Sequence, residues 1–322
     1  MATRKYDEDS IQRFAGLKGI RKKPTPYIGP TDSDGLWTIF REPADNAVDQ
    51  ALAGRNKLVH LIFDSEPNRY WIVDAGEGIP VGKKEFEDER GKKEKLSTFY
   101  VVTGLTHGGS NLDSDTIGRG THGIGIKATN AMSKRFTVWT CWKGDWWCIE
   151  YRDAALHKEP YKSKAPRLPH SLKAKRGTVV MFEPDLSLFH KGTKMQLSSA
   201  KEWSKLTSYL VKGMTVKLTN SSGETREYVS EGPATFVHDK IAELKATQTG
   251  KTFLYSSKEL DVALAFADVE GSHVAAYTNG LRNVEGGEHV TACIDSLVKS
   301  LKPYLGKKDK FTPSDVKDGL LG

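Results

Sequence analysis

Apolar positions along the chain fall into distinct periodicities. Leu36, Ile39, Phe40, Ala44, Ala47, Val48 and Ala51 recur at three- and four-residue spacing between Gly35 and Gly54, which predicts a helix with a glycine terminator. Residues 58–63, apolar except for His60, and 70–73 flank a turn at 65–69 and read as two strands. Residues 136–142 and 146–151 flank Lys143-Gly144-Asp145 and predict a β-hairpin. Four of the seven tryptophans fall in it, either as a stacking surface for nucleic acid or as hairpin faces packed on a core; the packed reading is favoured. A short helix at 125–132 and a strand at 177–182 follow from the same reasoning. The stretch 161–176 has six Lys/Arg and no acidic residue and reads as a solvated loop. After Pro184 the pattern becomes helix (200–211), strands (215–218, 226–229), helix (234–244), strands (262–267, 274–278) and helix (290–305), so a domain boundary near 190–200 is the simplest account. Residues 1–30 read as an extended polar arm, and Pro24 and Pro26 predict non-helical backbone at its end.

Composition narrows the class. A length of 322 residues suggests two domains. No apolar run reaches the roughly 18 residues of a membrane span, and no apolar stretch follows the N-terminal charges. Cys141, Cys148 and Cys293 cannot all pair and lack metal-ligand spacing, as expected of a reducing compartment. A net charge of +7 permits a polyanionic partner without requiring one. Membrane, disulfide-scaffold and disordered classes are excluded; an enzyme or a nucleic-acid factor remains.

Three segments carry candidate chemistry. In Phe40-Arg41-Glu42-Pro43-Ala44-Asp45-Asn46, Glu42 and Asn46 share a helix face, and a carboxylate one turn from an amide oxygen suits a water-activating base beside a hard-cation ligand. Taken alone, that spacing reads first as a solvated helix face. In Val73-Asp74-Ala75-Gly76-Glu77-Gly78-Ile79-Pro80, an acidic residue closes an apolar strand and glycines follow. Such an Asp can accept from an exocyclic amine of adenine, or can simply end a strand in a turn. Gly118-Arg119-Gly120-Thr121-His122-Gly123-Ile124-Gly125-Ile126-Lys127 leads into a helix and exposes backbone N–H groups of the kind that bind phosphates, with Gly108 and Gly109 as a flexible pair upstream. No hydrophobic strand precedes Gly118, which excludes a Rossmann site. Gly250-Lys251-Thr252 imitates a P-loop, but Lys245 stands where the first glycine belongs.

Together and in this order, the segments resemble the ATPase region of type IIA topoisomerase B subunits (DNA gyrase B and topoisomerase IV ParE), in the Bergerat-fold (GHKL) superfamily. Tyr6-Asp7 with Ile11 and Gly16-Leu17, Arg21-Lys22-Lys23-Pro24, Tyr27-Ile28-Gly29, the Glu42–Gly54 helix, Asp74–Pro80, Gly120–Gly125, Gly177-Thr178, Tyr277-Thr278-Asn279 and Glu285–His289 match family segments over most of the chain. The resemblance implies an α+β protein: a dimerisation arm at 1–30, a two-layer α/β sandwich ATPase domain at 31–197, and a ribosomal S5-like α/β transducer at 198–322. It implies ATP and Mg²⁺ as cofactors. Glu42 is then the general base and Asn46 the Mg²⁺ ligand. Asp74, assisted by Gly78 and Thr178, binds the adenine amine; Gly118, Gly120, Thr121, His122, Gly123, Ile124, Gly125, Ile126 and Lys127 wrap the phosphates; Gly76, Ile79, Gly108 and Gly109 also belong to the ATP site; and Tyr6 reaches the nucleotide of the other protomer. The implied partners are a second copy through the arm, double-stranded DNA and an A-type DNA-cleaving subunit or domain, with no membrane, in the cytoplasm of a cell or of a phage's host.

Departures accompany the matches. Glu77 and Trp142 stand where the family's rim carries arginines, which makes weak aminocoumarin binding the expectation; Ser110, Ala75 and Thr121 replace Lys, Asn and Leu. The chain also ends at Gly322, ahead of the family's Gln-Thr-Lys loop, so nucleotide binding is expected to survive better than turnover. Alternatives are another GHKL ATPase of MutL or Hsp90 type, or a non-catalytic regulator of the same fold.

Overall fold

The computed structural model describes residues 16–87, 91–106, 123–257, 259–278, 280–304 and 312–322. These form two compact units: the described residues up to Ser204 together with Thr215–Glu227, and Lys205–Met214 together with Tyr228–Gly322. In chain order the first contains α1 (Gly16–Lys22), α2 (Thr25–Ile28), α3 (Ser33–Leu52), β1 (Leu58–Phe63), β2 (Tyr70–Asp74), β3 (Lys83–Glu87), β4 (Lys93–Ser97), α4 (Thr98–Gly104), α5 (Gly125–Ala131), β5 (Ser133–Trp142), β6 (Asp145–Arg152), β7 (Ala155–Lys162) and β8 (Gly177–Pro184). The division falls within α6 (Leu197–Leu210), and β9 (Thr215–Thr219) and most of β10 (Thr225–Tyr228) rejoin the first unit. A break at 197/198 therefore does not describe the units, because β9 pairs in parallel with β1, Leu61 opposite Leu218.

An eight-stranded mixed sheet, ordered β10-β9-β1-β2-β8-β5-β6-β7, forms the frame of this unit. β1 and β2 are largely apolar, broken only by His60 and ended by Asp74, because both faces of the sheet are covered. On one face lies α3. Its Leu36, Ile39, Phe40, Ala44, Ala47 and Val48 are buried, and its start is capped by the Asp32 carboxylate, which accepts from Asp34 N at 2.9 Å. On the other face Ile62, Trp71, Val73, Val179 and Met181 pack beneath Leu168 and Ala174. The stretch 161–176 is therefore not wholly solvated: its lysines reach water while Leu168 and Ala174 close a core. Trp139 stacks on Trp71 at 5.7 Å and Trp146 packs against the same cluster, so these two of the four hairpin tryptophans serve packing, as favoured.

One further expectation needs correction. Pro24 and Pro26 do not enforce non-helical backbone; they stand at the N-terminus of α2, where a missing N–H is harmless. β3 and β4 pair antiparallel, Glu85 opposite Lys95.

In the second unit α7 (Pro233–Leu244), β11 (Gln248–Ser256), β12 (Asp261–Ala267), β13 (Ser272–His273), β14 (Tyr277–Thr278), β15 (Leu281–Arg282), α8 (Glu288–Leu301), α9 (Pro313–Lys317) and β16 (Leu320–Leu321) follow one another. Alternation along β12 explains the layering. Ala263, Ala265 and Ala267 pack against Val237 and Ile241 of α7, whereas Val262, Leu264 and Phe266 meet Val290, Ile294 and Leu297 of α8. Gly250-Lys251-Thr252 lies in β11, so it forms no phosphate loop ahead of a helix.

Candidate active site

The register of the first sheet sorts its α3-facing side chains into three rows. Phe63, Tyr70, Phe182 and Phe136 form an aromatic row, and Phe40 of α3 meets the first two at 5.4 and 5.6 Å between ring centroids. Leu61, Ile72, Val180 and Val138 form an aliphatic row. In the next row Asp74 stands opposite Val59, and Thr178 opposite Thr140. Where apolar rows give way to polar ones, a cavity of about 740 Å³ opens, with Ile72 and Val180 on its sheet side.

Asp74 is the polar anchor of that cavity. Its Oδ1 accepts from Gly76 N at 2.8 Å and from Thr178 N at 3.1 Å. Burial pushes its carboxyl above the usual carboxylate range, opposed by those bonds and by the nearby Arg176 charge. The close approach of β8 depends on Gly177: at φ +87° a Cβ there would lie 2.2 Å from the Asp74 carbonyl oxygen. Three residues not foreseen complete the frame. Asn56 Oδ1 accepts from Leu58 N and Ala75 N, both at 3.1 Å, while its Nδ2 donates to Ala47 O of α3 at 3.0 Å. Arg176 Nε donates to Gly76 O at 3.0 Å, and Thr140 Oγ1 accepts from Ile79 N at 2.6 Å. The available signals were slight: Thr140 alternates with Trp139 and Cys141 on a strand, and Asn56 sits between a helix-ending glycine and an apolar run.

Across the cavity, Glu42 and Asn46 project from α3, one turn apart as expected. Burial, with Asp45 and then Asp49 adding repulsion against the partial offset of Arg41, raises the Glu42 carboxyl to about 7. The N-terminus of α5 meets that carboxylate: a Cβ on Gly125 would stand 1.7 Å from Glu42 Oε2, so only glycine leaves the room Glu42 occupies. Lys127 also lines the cavity and donates to Gly123 O at 2.5 Å; burial lowers its ammonium to about 8.

The cavity brings together Glu42, Asn46, Asp74, Gly78, Ile79, Gly123, Ile124, Gly125, Ile126, Lys127 and Thr178. Gly76 does not line it and acts on Asp74 instead. Tyr6, Gly108, Gly109, Gly118, Gly120, Thr121 and His122 lie outside the described residues. Of the two rim departures, Glu77 lines the cavity and Trp142 does not. Among the described residues no three His, Cys, Asp or Glu side chains cluster as a metal site.

Comparison with known proteins gives concordant matches. A family model described as DNA gyrase B matches residues 224–322. The B subunit of DNA topoisomerase 4 from Mycoplasma capricolum is 29% identical over 336 residues, covering 99% of this chain and 49% of that protein. The B subunit of DNA gyrase from Spiroplasma citri is 28% identical over 338 residues, covering 98% and 50%. The chain thus spans about half the length of the curated relatives it matches. The crystal structure of the 43K ATPase domain of Thermus thermophilus gyrase B, in complex with an aminocoumarin, superposes with a TM-score of 0.74 at 25% identity, over 94% of this chain and 79% of that one.

Proposed function

Since the chain is a gyrase B-like ATPase region of the type IIA topoisomerase kind, we propose that its cavity binds ATP and hydrolyses it with Glu42 as general base. One observation carries this reading. A buried carboxylate held by main-chain donors, Asp74, and a carboxylate of raised pKa with no hydrogen bond to a described residue, Glu42, line the same cavity. Asp74 has acceptor capacity left for adenine's exocyclic amine, between Gly78, Ile79 and Thr178. Gly123, Ile124, Gly125, Ile126 and Lys127 lie toward the phosphates. Glu42 takes a proton from water as the water oxygen bonds to the γ-phosphorus and the bond to the ADP oxygen breaks. A carboxyl near 7 suits that role, being about half ionised at neutral pH and basic enough to accept a proton.

Asn46 fits a Mg²⁺ ion: it lines the cavity and its amide makes no hydrogen bond to a described residue. The ion would neutralise phosphate charge. Tyr6 and the glycines at 108, 109, 118 and 120, with Thr121 and His122, are assigned to nucleotide closure on the resemblance alone.

At the level of the whole protein, the reading places ATP-driven dimerisation through the arm at 1–30, closure around double-stranded DNA, and an A-type DNA-cleaving partner in the cytoplasm. Among the described residues no helix is long and apolar enough to cross a membrane. Calorimetric titration with a non-hydrolysable ATP analogue is expected to show saturable binding that strengthens with Mg²⁺. Absence of any binding ends the enzyme reading and leaves a non-catalytic module. Gly125→Ala is expected to lower turnover by about 100-fold, because the added methyl displaces the Glu42 carboxylate by about 1 Å or more. Unchanged steady-state hydrolysis would remove Gly125 from the machinery.

A further inference from the structure

α3 carries a proline in its interior, directly after Glu42. Pro43 has no N–H, so the carbonyl of Ile39, one turn earlier, loses its helical donor. Ile39 is fully buried, and water cannot replace that donor freely. The bond is supplied by a different helix: Thr129 Oγ1 of α5 donates to Ile39 O at 2.8 Å. Thr129 is itself 0% exposed and does not line the cavity, so it is placed to act on α3 rather than on a ligand. Its alternative acceptor, Gly125 O, is more distant at 3.4 Å.

The position of this bond gives it a consequence. Gly125, four residues before Thr129, occupies the same face of α5 one turn away, and there the Glu42 carboxylate fills the space a Cβ would take. The two helices are thus joined at successive turns, Thr129 to Ile39 and Gly125 to Glu42. The Thr129 hydroxyl thereby completes the hydrogen bonding of the α3 turn that carries Glu42. Without it, a proline-containing helix relieves an orphaned carbonyl by bending or by admitting water at the turn that carries Glu42.

We propose that Thr129 is a positioning residue for Glu42, its hydroxyl supplying the donor that Pro43 removes and so holding the carboxylate against Gly125. The inference rests on Glu42 being the base.

Thr129→Val, Thr129→Ser and the double variant Thr129→Val/Pro43→Ala test it, the last because an alanine following Glu42 has an N–H that can donate to Ile39 O within the helix. Thr129→Val is expected to lower kcat about 10-fold or more with KM for ATP changed less than about twofold, and to move the acid limb of kcat to lower pH. Thr129→Ser stays within about threefold of the parent chain, and Pro43→Ala restores at least about fivefold of the loss in the valine background. Parental kcat and pH profile in Thr129→Val overturn the proposal. So does a double variant that regains thermal stability without regaining kcat, since that marks a merely structural bond. If the parent chain hydrolyses no ATP, the function reading fails instead. ¹³C NMR titration of the Glu42 carboxyl then still decides the inference: a downward shift in Thr129→Val supports it and an unchanged one overturns it.

Discussion

Glu42→Gln is expected to reduce ATP turnover by about 100- to 10,000-fold while leaving the nucleotide dissociation constant within about threefold of the parent value. Glutamine keeps the size that fits against Gly125 and loses only the ability to take a proton, so binding and chemistry separate in one substitution. The pH dependence supplies a second signature. A base whose carboxyl is raised to about 7 is protonated and idle below that pH, so parental kcat rises through pH 7 and levels above it. Folding stability runs the opposite way. The folded pKa lies above that of an unfolded glutamate, so the unstrained, protonated form is complete at low pH and stability falls as pH rises through about 7. Glu42→Gln therefore raises the melting temperature at pH 8 by a few degrees and has little effect at pH 4.5. A variant that turns over at the parental rate removes Glu42 from catalysis; one that loses binding and turnover together makes it a structural residue.

The parts of this molecule legible in the sequence are those where one physical demand dominates. The α3 face had to be apolar at Leu36, Ile39, Phe40, Ala44, Ala47 and Val48, and the spacing disclosed it. β1 and β2 disclosed themselves by burial on both faces. Exposed strands did not. β7 and β11 are accessible along nearly their whole length, so no alternation marks them, and their pairing partners alone hold them in strand geometry. Leu168 and Ala174 were hidden for a related reason: two apolar side chains among lysines and prolines have no periodicity, yet they close one face of the sheet.

The candidate site divides along the same line. Glu42, Asn46 and Asp74 are legible because their segments occur together in the order of the family they resemble; taken alone, the spacing of Glu42 and Asn46 reads first as a solvated helix face and Asp74 as a strand end. Asn56, Thr140 and Arg176 act on backbone groups brought near only by folding: Asn56 bridges α3 and the Asp74 turn, residues separated by nearly thirty positions. Thr129 and Pro43 belong to this second class. A mid-helix proline is an anomaly on its own, and its remedy lies on another helix ninety residues away.

Asp74→Asn is expected to weaken ATP binding by about 30- to 1,000-fold, the equivalent of about 2–4 kcal/mol for a charged hydrogen bond lost and an opposed donor gained. The protein should remain folded, because the amide oxygen of asparagine can keep the two bonds from Gly76 N and Thr178 N. Burial already strains the ionised form of Asp74, so neutralising it does not lower the melting temperature at neutral pH. The new amide nitrogen then stands where the second carboxylate oxygen stood and presents a donor to adenine's donor. A base with a keto oxygen at that position, such as hypoxanthine, accepts from it. The discrimination between ATP and inosine triphosphate should accordingly narrow by about 10-fold or more in the variant. Calorimetric titration of both nucleotides with both proteins measures it. Equal weakening for the two bases would mean that Asp74 shapes the cavity without reading the base, and unchanged ATP affinity would move adenine to another wall altogether.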